Sequence, residues 1–144
     1  LLEFAGCLPT KQNNDAVLNA ITGQMERAPP VSEKHIIILA TVSSGEEAKR
    51  ISDILLERKL IACASIVQDV RSFYWWKGEV EHSSELLLVM KSRGELLEEI
   101  VRLVRENHSY EVPEVVALPV VGGNPDYLRW IEESVEIHRK GDTS

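Results

Sequence analysis

The chain has 144 residues and an apolar fraction of 44%, enough for one domain with a buried core. Its formal net charge of −7 argues against a general binder of nucleic acid or anionic membranes. No apolar run approaches the roughly 20 residues that span a bilayer, and the first residues lack the charged-then-apolar order of a secretory signal.

Residues 1–34 stand apart. They are mixed in composition, with a weak helical pattern at Ala16, Val17, Ala20 and Ile21, and close on the Pro-containing linker ERAPPVSEK. Two readings stand: a tag or appended segment before a native start at Met25, or an organelle-targeting extension, against which Glu3, Asp15 and the scarcity of Arg count. Residues 35–137 are the expected domain and residues 138–144 a tail. The run HIIILATV, 35–42, suits a central strand buried on both faces. Ser43 or Ser44, with a Glu three residues on, forms a capping box and opens a helix with Ala48, Ile51, Ile54 and Leu55 on its apolar side.

Residues 61–91 then read as a long hairpin. Two β-type runs, IACASIVQDVRSFYWW and EVEHSSELLLVMK, face each other across Lys77-Gly78. Each arm spans on the order of 50 Å at about 3.3 Å per residue, whereas a domain of about 100 residues is only about 35 Å across. The hairpin must therefore bend at a bulge, or project and be covered. Phe73, Tyr74, Trp75 and Trp76 lie at its turn and point to both faces. Exposed, they would form an apolar patch of the kind soluble monomers avoid. They pack on another copy of the chain, or else a curled hairpin buries them in its own core.

Ser92-Arg93-Gly94-Glu95 repeats the capping-box pattern before a second helix, which carries Leu96, Leu97, Ile100, Val101, Leu103 and Val104 and ends at Asn107. A turn, residues 108–114, leads to the strand VVALPVV, 115–121, where Pro119 marks an edge or a bulge. Asn124-Pro125 caps a third helix. The order β-α-β-β-α-β with an extra C-terminal helix predicts an α+β, ferredoxin-like fold. Its helices cover one sheet face, so the other face calls for self-association.

No phosphate loop, HExxH, nucleophile elbow or Cys/His metal signature is present. Cys7 and Cys63 make neither a disulfide framework nor a CxxC pair, which suits a reducing, cytoplasmic setting. Candidate chemistry gathers at His108, Tyr110, Glu111 and Glu114, and at Cys63, Trp76 and Lys91. His108 follows a helix C-terminus, where it serves the dipole and orphan carbonyls; alternatively His108 and Glu111 are metal ligands. Cys63 reads as a buried small hydrophobe. Lys91 either snorkels to water or binds an anion in an intersubunit cleft with Cys63, Trp76, Tyr110 and Glu114.

Five motifs in order carry a resemblance: Lys59 to Ala64, Tyr74-Trp75-Trp76-Lys77-Gly78, Glu85 to Lys91, His108 to Glu114, and Tyr127-Leu128-Arg129-Trp130-Ile131. Over residues 35–136 the chain resembles the CutA divalent-cation tolerance family. The resemblance implies a homotrimer clamped by its hairpins, with Phe73, Tyr74 and Trp75 in the packing, and an architecture like that of the PII proteins. It also implies a link to copper(II) or another divalent cation, while the absence of an enzyme motif points to no enzyme activity; animal members are associated with acetylcholinesterase, a protein partner. Bacterial members use a first-strand Cys and two adjacent His for metal. Here those positions hold Ala40 and Asn107-His108, and Ser109 replaces a usual Pro. The expected function is copper binding and cation tolerance. The alternatives are a PII-like trimer that binds a small anionic ligand or a protein partner in the intersubunit cleft, and an enzyme working in that cleft.

Overall fold

The computed structural model describes residues 34–137. The expectations for the segment before residue 34 and for the tail lie outside them, as does Cys7. Four strands and three helices follow in order: β1 (Ile36–Val42), α1 (Gly45–Glu57), β2 (Cys63–Trp76), β3 (Glu79–Ser92), α2 (Leu97–Asn107), β4 (Val115–Pro119) and α3 (Pro125–Ser134). The sheet order is β2-β3-β1-β4, and β1 runs antiparallel to both β3 and β4. This is the ferredoxin-like α+β arrangement that the element order predicted.

The expected continuous burial of the first strand resolves into an alternation. Ile36, Ile38, Ala40 and Val42 are fully buried. In register they meet Ser92, Met90, Leu88 and Leu86 of β3. They form one core with Ala48, Ile51 and Leu55 of α1 and Ile100, Leu103 and Val104 of α2. Each large side chain among them contributes about 1.5–3 kcal/mol by leaving water. Between them, Ile37, Leu39 and Thr41 point to the opposite face. They meet Lys91, Val89 and Leu87 of β3. Leu118 and Val116 of β4, each about half exposed, flank Ile37 and Leu39.

Local signals explain the ends of the elements. The Ser44 hydroxyl accepts the Glu47 N–H at 3.2 Å and caps α1, while the Glu47 carboxylate takes the N–H of Ser43 rather than closing the box on Ser44. The second expected capping box is not formed. Ser92 is sealed in the core, where its hydroxyl donates to the Leu60 carbonyl. The chain instead enters α2 through a 3-10 turn at Gly94–Leu96 with no side-chain cap. Asn124 caps α3 with Pro125 at its first turn, as predicted. Pro119 lies in the edge strand, where its missing N–H costs no ladder bond on the open side.

The hairpin turn is Lys77-Gly78. Both residues have positive φ, 50° and 81°, as a two-residue type I′ turn requires. Asp69, in mid-β2, also adopts a left-handed φ of 58°, the mark of a bulge. Two compact units are distinguished: the turn segment Ser72–Ser83, and the body to which the rest of the described chain belongs. Within the turn segment Phe73 is 72% and Trp75 57% exposed, so the isolated chain does not bury its own aromatics.

Candidate functional site

The residues singled out from the sequence divide into separate groups. The first lies where the turn after α2 meets the start of α1. His108 has a fully buried side chain. Its Nε2 is 2.7 Å from the Thr41 carbonyl oxygen, and its Nδ1 is 3.0 Å from the Tyr110 backbone nitrogen. A carbonyl only accepts and an N–H only donates, so the ring is the tautomer with its proton on Nε2. Glu47 lies beside it, with Oε1 3.6 Å from Nδ1. That buried carboxylate also accepts the N–H groups of Ser43 at 3.2 Å and Ser109 at 3.1 Å. Burial pushes the Glu47 carboxyl up, but the hydrogen bonds it accepts from the Ser109 hydroxyl, the Ser43 N–H and the Ser109 N–H outweigh it, and the group sits below its ordinary 4.5. Tyr110 Oη reaches the buried Glu85 at 3.5 Å, and the Tyr110 ring packs on that of His108.

This arrangement does not fit a metal held by His108 and Glu111. Both ring nitrogens of His108 are engaged, leaving no lone pair for a cation, and Glu111 is exposed on the outside of the turn. Among the described residues no three His, Cys, Asp or Glu side chains gather as a metal set. Ala40 is fully buried between Leu88 and Val115 and supplies no donor.

The second group joins three elements. Lys91 of β3 places its Nζ 3.8 Å from the Sγ of Cys63 in β2. Tyr127 of α3 brings its hydroxyl to 3.9 Å from the same sulfur, and its ring centre lies 5.8 Å from Lys91 Nζ. Trp130, one helical turn on, stacks at a tilt on Tyr127 with ring centres 5.3 Å apart. Tyr127 and Trp130 were read from the sequence as packing residues only. Their exposure of 41% each, beside a cysteine and a lysine, marks them as more than that. Tyr110 does not join this group; it belongs with His108. Glu114 is exposed in the loop before β4. Trp76 stands at the hairpin turn with Lys77 Nζ over its ring at 5.7 Å.

The body is thus a ferredoxin-like α+β subunit with a core of β1, β3, α1 and α2, a half-exposed apolar face on the other side of its sheet, and no gathered metal set among the described residues. Its relatives give that subunit a family. The family model described as CutA1 divalent ion tolerance protein matches residues 36–134. The chain belongs to this family. Over 99 residues it is 43% identical to Protein CutA 1, chloroplastic, of Oryza sativa subsp. japonica, and 42% identical to Protein CutA, chloroplastic, of Arabidopsis thaliana. These matches take in 69% of this chain but only 56% and 54% of the two plant proteins. A solved structure, the periplasmic divalent cation tolerance protein CutA from Archaeoglobus fulgidus, is similar with a TM-score of 0.69 at 41% identity, covering 71% of this chain and 99% of that one.

These relatives correct one expectation. The cytoplasmic assignment rested on two unpaired cysteines and the want of a signal pattern. Two relatives are chloroplastic by name and a third is described as periplasmic, so neither feature selects that compartment.

Proposed function

We propose that the chain acts in divalent-cation tolerance as a homotrimer, a binding protein rather than an enzyme, assembled through its open sheet face and hairpin turn. One observation carries this reading. The face opposite the core presents Val116 at 48% and Leu118 at 50% exposure beside Ile37, Leu39, Leu87 and Val89. A row of this kind on a central sheet is covered when copies of the chain meet. The aromatic turn segment supports the same reading from a separate part of the chain.

Copper(II) is the first cation to test. Since His108 is engaged and no donor set gathers in the described chain, the cation would be held by groups that assembly brings together. Light scattering together with copper(II) calorimetry on the same sample tests both parts. A threefold mass with saturable binding is expected. A monomer at micromolar concentration would overturn the assembly reading, and a trimer without saturable uptake would remove copper from it.

A further inference from the structure

We infer that Lys91, Cys63 and Tyr127 form a binding site for a small organic oxyanion, with the charged group on Lys91 and the apolar body against Tyr127 and Trp130. Several other cations among the described residues sit against carboxylates. Lys34, Lys59, Arg93 and Arg102 reach Glu132, Glu136, Glu95 and Glu106 at 2.7–3.2 Å. Lys91 is only partly exposed and has no carboxylate in ion-pair contact among the described residues. Its ammonium carries three N–H donors, and what they meet is a thiol sulfur, a weak acceptor, and the face of Tyr127. Taking a charge partly out of water without a strong partner is costly. An oxyanion would supply that partner.

The neighbours suit the same ligand. The S–H of Cys63 and the O–H of Tyr127 can each rotate to donate. They sit 3.9 Å apart, and Lys91 Nζ lies 3.8 Å from the same sulfur. The anion would therefore meet one fixed positive charge and two rotatable donors supplied by β2, β3 and α3. Tyr127 and Trp130, both partly exposed and tilted on each other, present aromatic surface for a planar ligand body. A bare inorganic ion would leave that surface unused. All of its groups come from one chain, with Lys91 in register with Ile37 on the open face of the sheet.

Calorimetry on the full chain with benzoate, phenyl phosphate and the neutral benzamide tests the inference, with mass followed by light scattering in the same samples. Saturable binding of benzoate or phenyl phosphate is expected, the stronger of the two naming the charged group. Benzamide and the Lys91→Met variant should each bind at least about tenfold more weakly, the loss of one charge-assisted contact. Lys91→Arg should retain binding within about threefold, and Tyr127→Phe should lose less than Lys91→Met. Binding of neither anion by the wild-type chain would overturn the inference, as would equal binding of benzamide. If Lys91→Met does not fold, the Tyr127→Phe and benzamide results decide. A monomer that binds benzoate would sink the assembly reading and leave this one standing.

Discussion

The Nε2 of His108 lies 2.7 Å from the carbonyl oxygen of Thr41, the sixth residue of the first strand. That bond holds the turn after α2 to the end of β1, while the other ring nitrogen holds the turn to itself through the Tyr110 N–H. Removing the ring by His108→Ala leaves a part-buried carbonyl and an N–H without partners, a cost of about 1–3 kcal/mol. Urea unfolding at fixed protein concentration should show a midpoint lowered accordingly. Copper(II) affinity of the same variant should be unchanged. A loss of copper binding with unchanged stability would reverse the roles assigned to this residue.

Glu47 adds a dependence on acid. Its folded carboxyl lies below the ordinary 4.5, because the donors of Ser109 and Ser43 outweigh burial. A carboxyl depressed by folding contributes stability that is fully present above its unfolded value and is lost as pH falls through its folded value. Melting temperature should therefore fall as pH drops from about 4.5, with Glu47 supplying part of the slope. Glu47→Gln should lose stability at neutral pH, by about 1–3 kcal/mol, and show a shallower acid limb. An unaltered acid limb in that variant would remove Glu47 from the account.

The hairpin turn offers a gain rather than a loss. Lys77 has a φ of 50° next to Gly78 at 81°, and a side chain with a Cβ pays to adopt the left-handed conformation. Asn tolerates that conformation better and forms the favoured Asn-Gly pair of type I′ turns. Lys77→Asn should raise stability by about 0.5–1 kcal/mol, read by thermal unfolding. Gly78→Ala should lower it by a comparable amount, since φ at Gly78 is one that Ala resists.

Assembly has its own test. Trp75 is 57% exposed in the isolated chain, with Phe73 and Tyr74 beside it. Trp75→Ala with Trp76→Ala should weaken self-association, seen as a mass that falls on dilution and a melting temperature that becomes more concentration-dependent. A double variant of unchanged mass and melting temperature would show that these rings do not hold copies together.

Much of this fold was written locally. The Lys77-Gly78 turn and the Asn124-Pro125 cap each depend on neighbours a few positions away, and each was read correctly, whereas the unbroken apolar run of β1 hid the alternation of its burial. The side-chain roles that were misread depend on non-local contacts. Ser92 looked like a cap because Glu95 follows at capping-box spacing, yet its hydroxyl goes to Leu60 across the fold. His108 looked available to a metal because Thr41 and Glu47, which engage and enclose it, lie far back in the chain. Tyr127 looked like packing because nothing near it in sequence reveals that Cys63 and Lys91 arrive beside it. Side chains that chemistry needs are brought together by topology, and spacing along a helix or strand does not report topology.

The strand order β2-β3-β1-β4 places the opening strand beside the closing one, Ile36 opposite Pro119. During synthesis β1 can therefore acquire its partner β3 well before β4 exists, and one of its edges stays unpaired until nearly the whole domain has emerged. Contacts of such long sequence separation form slowly. A nascent chain would spend that interval with the backbone of Ile37 and Leu39 open to pairing with another chain, which makes the last stage of translation the point at which this protein most needs protection from aggregation.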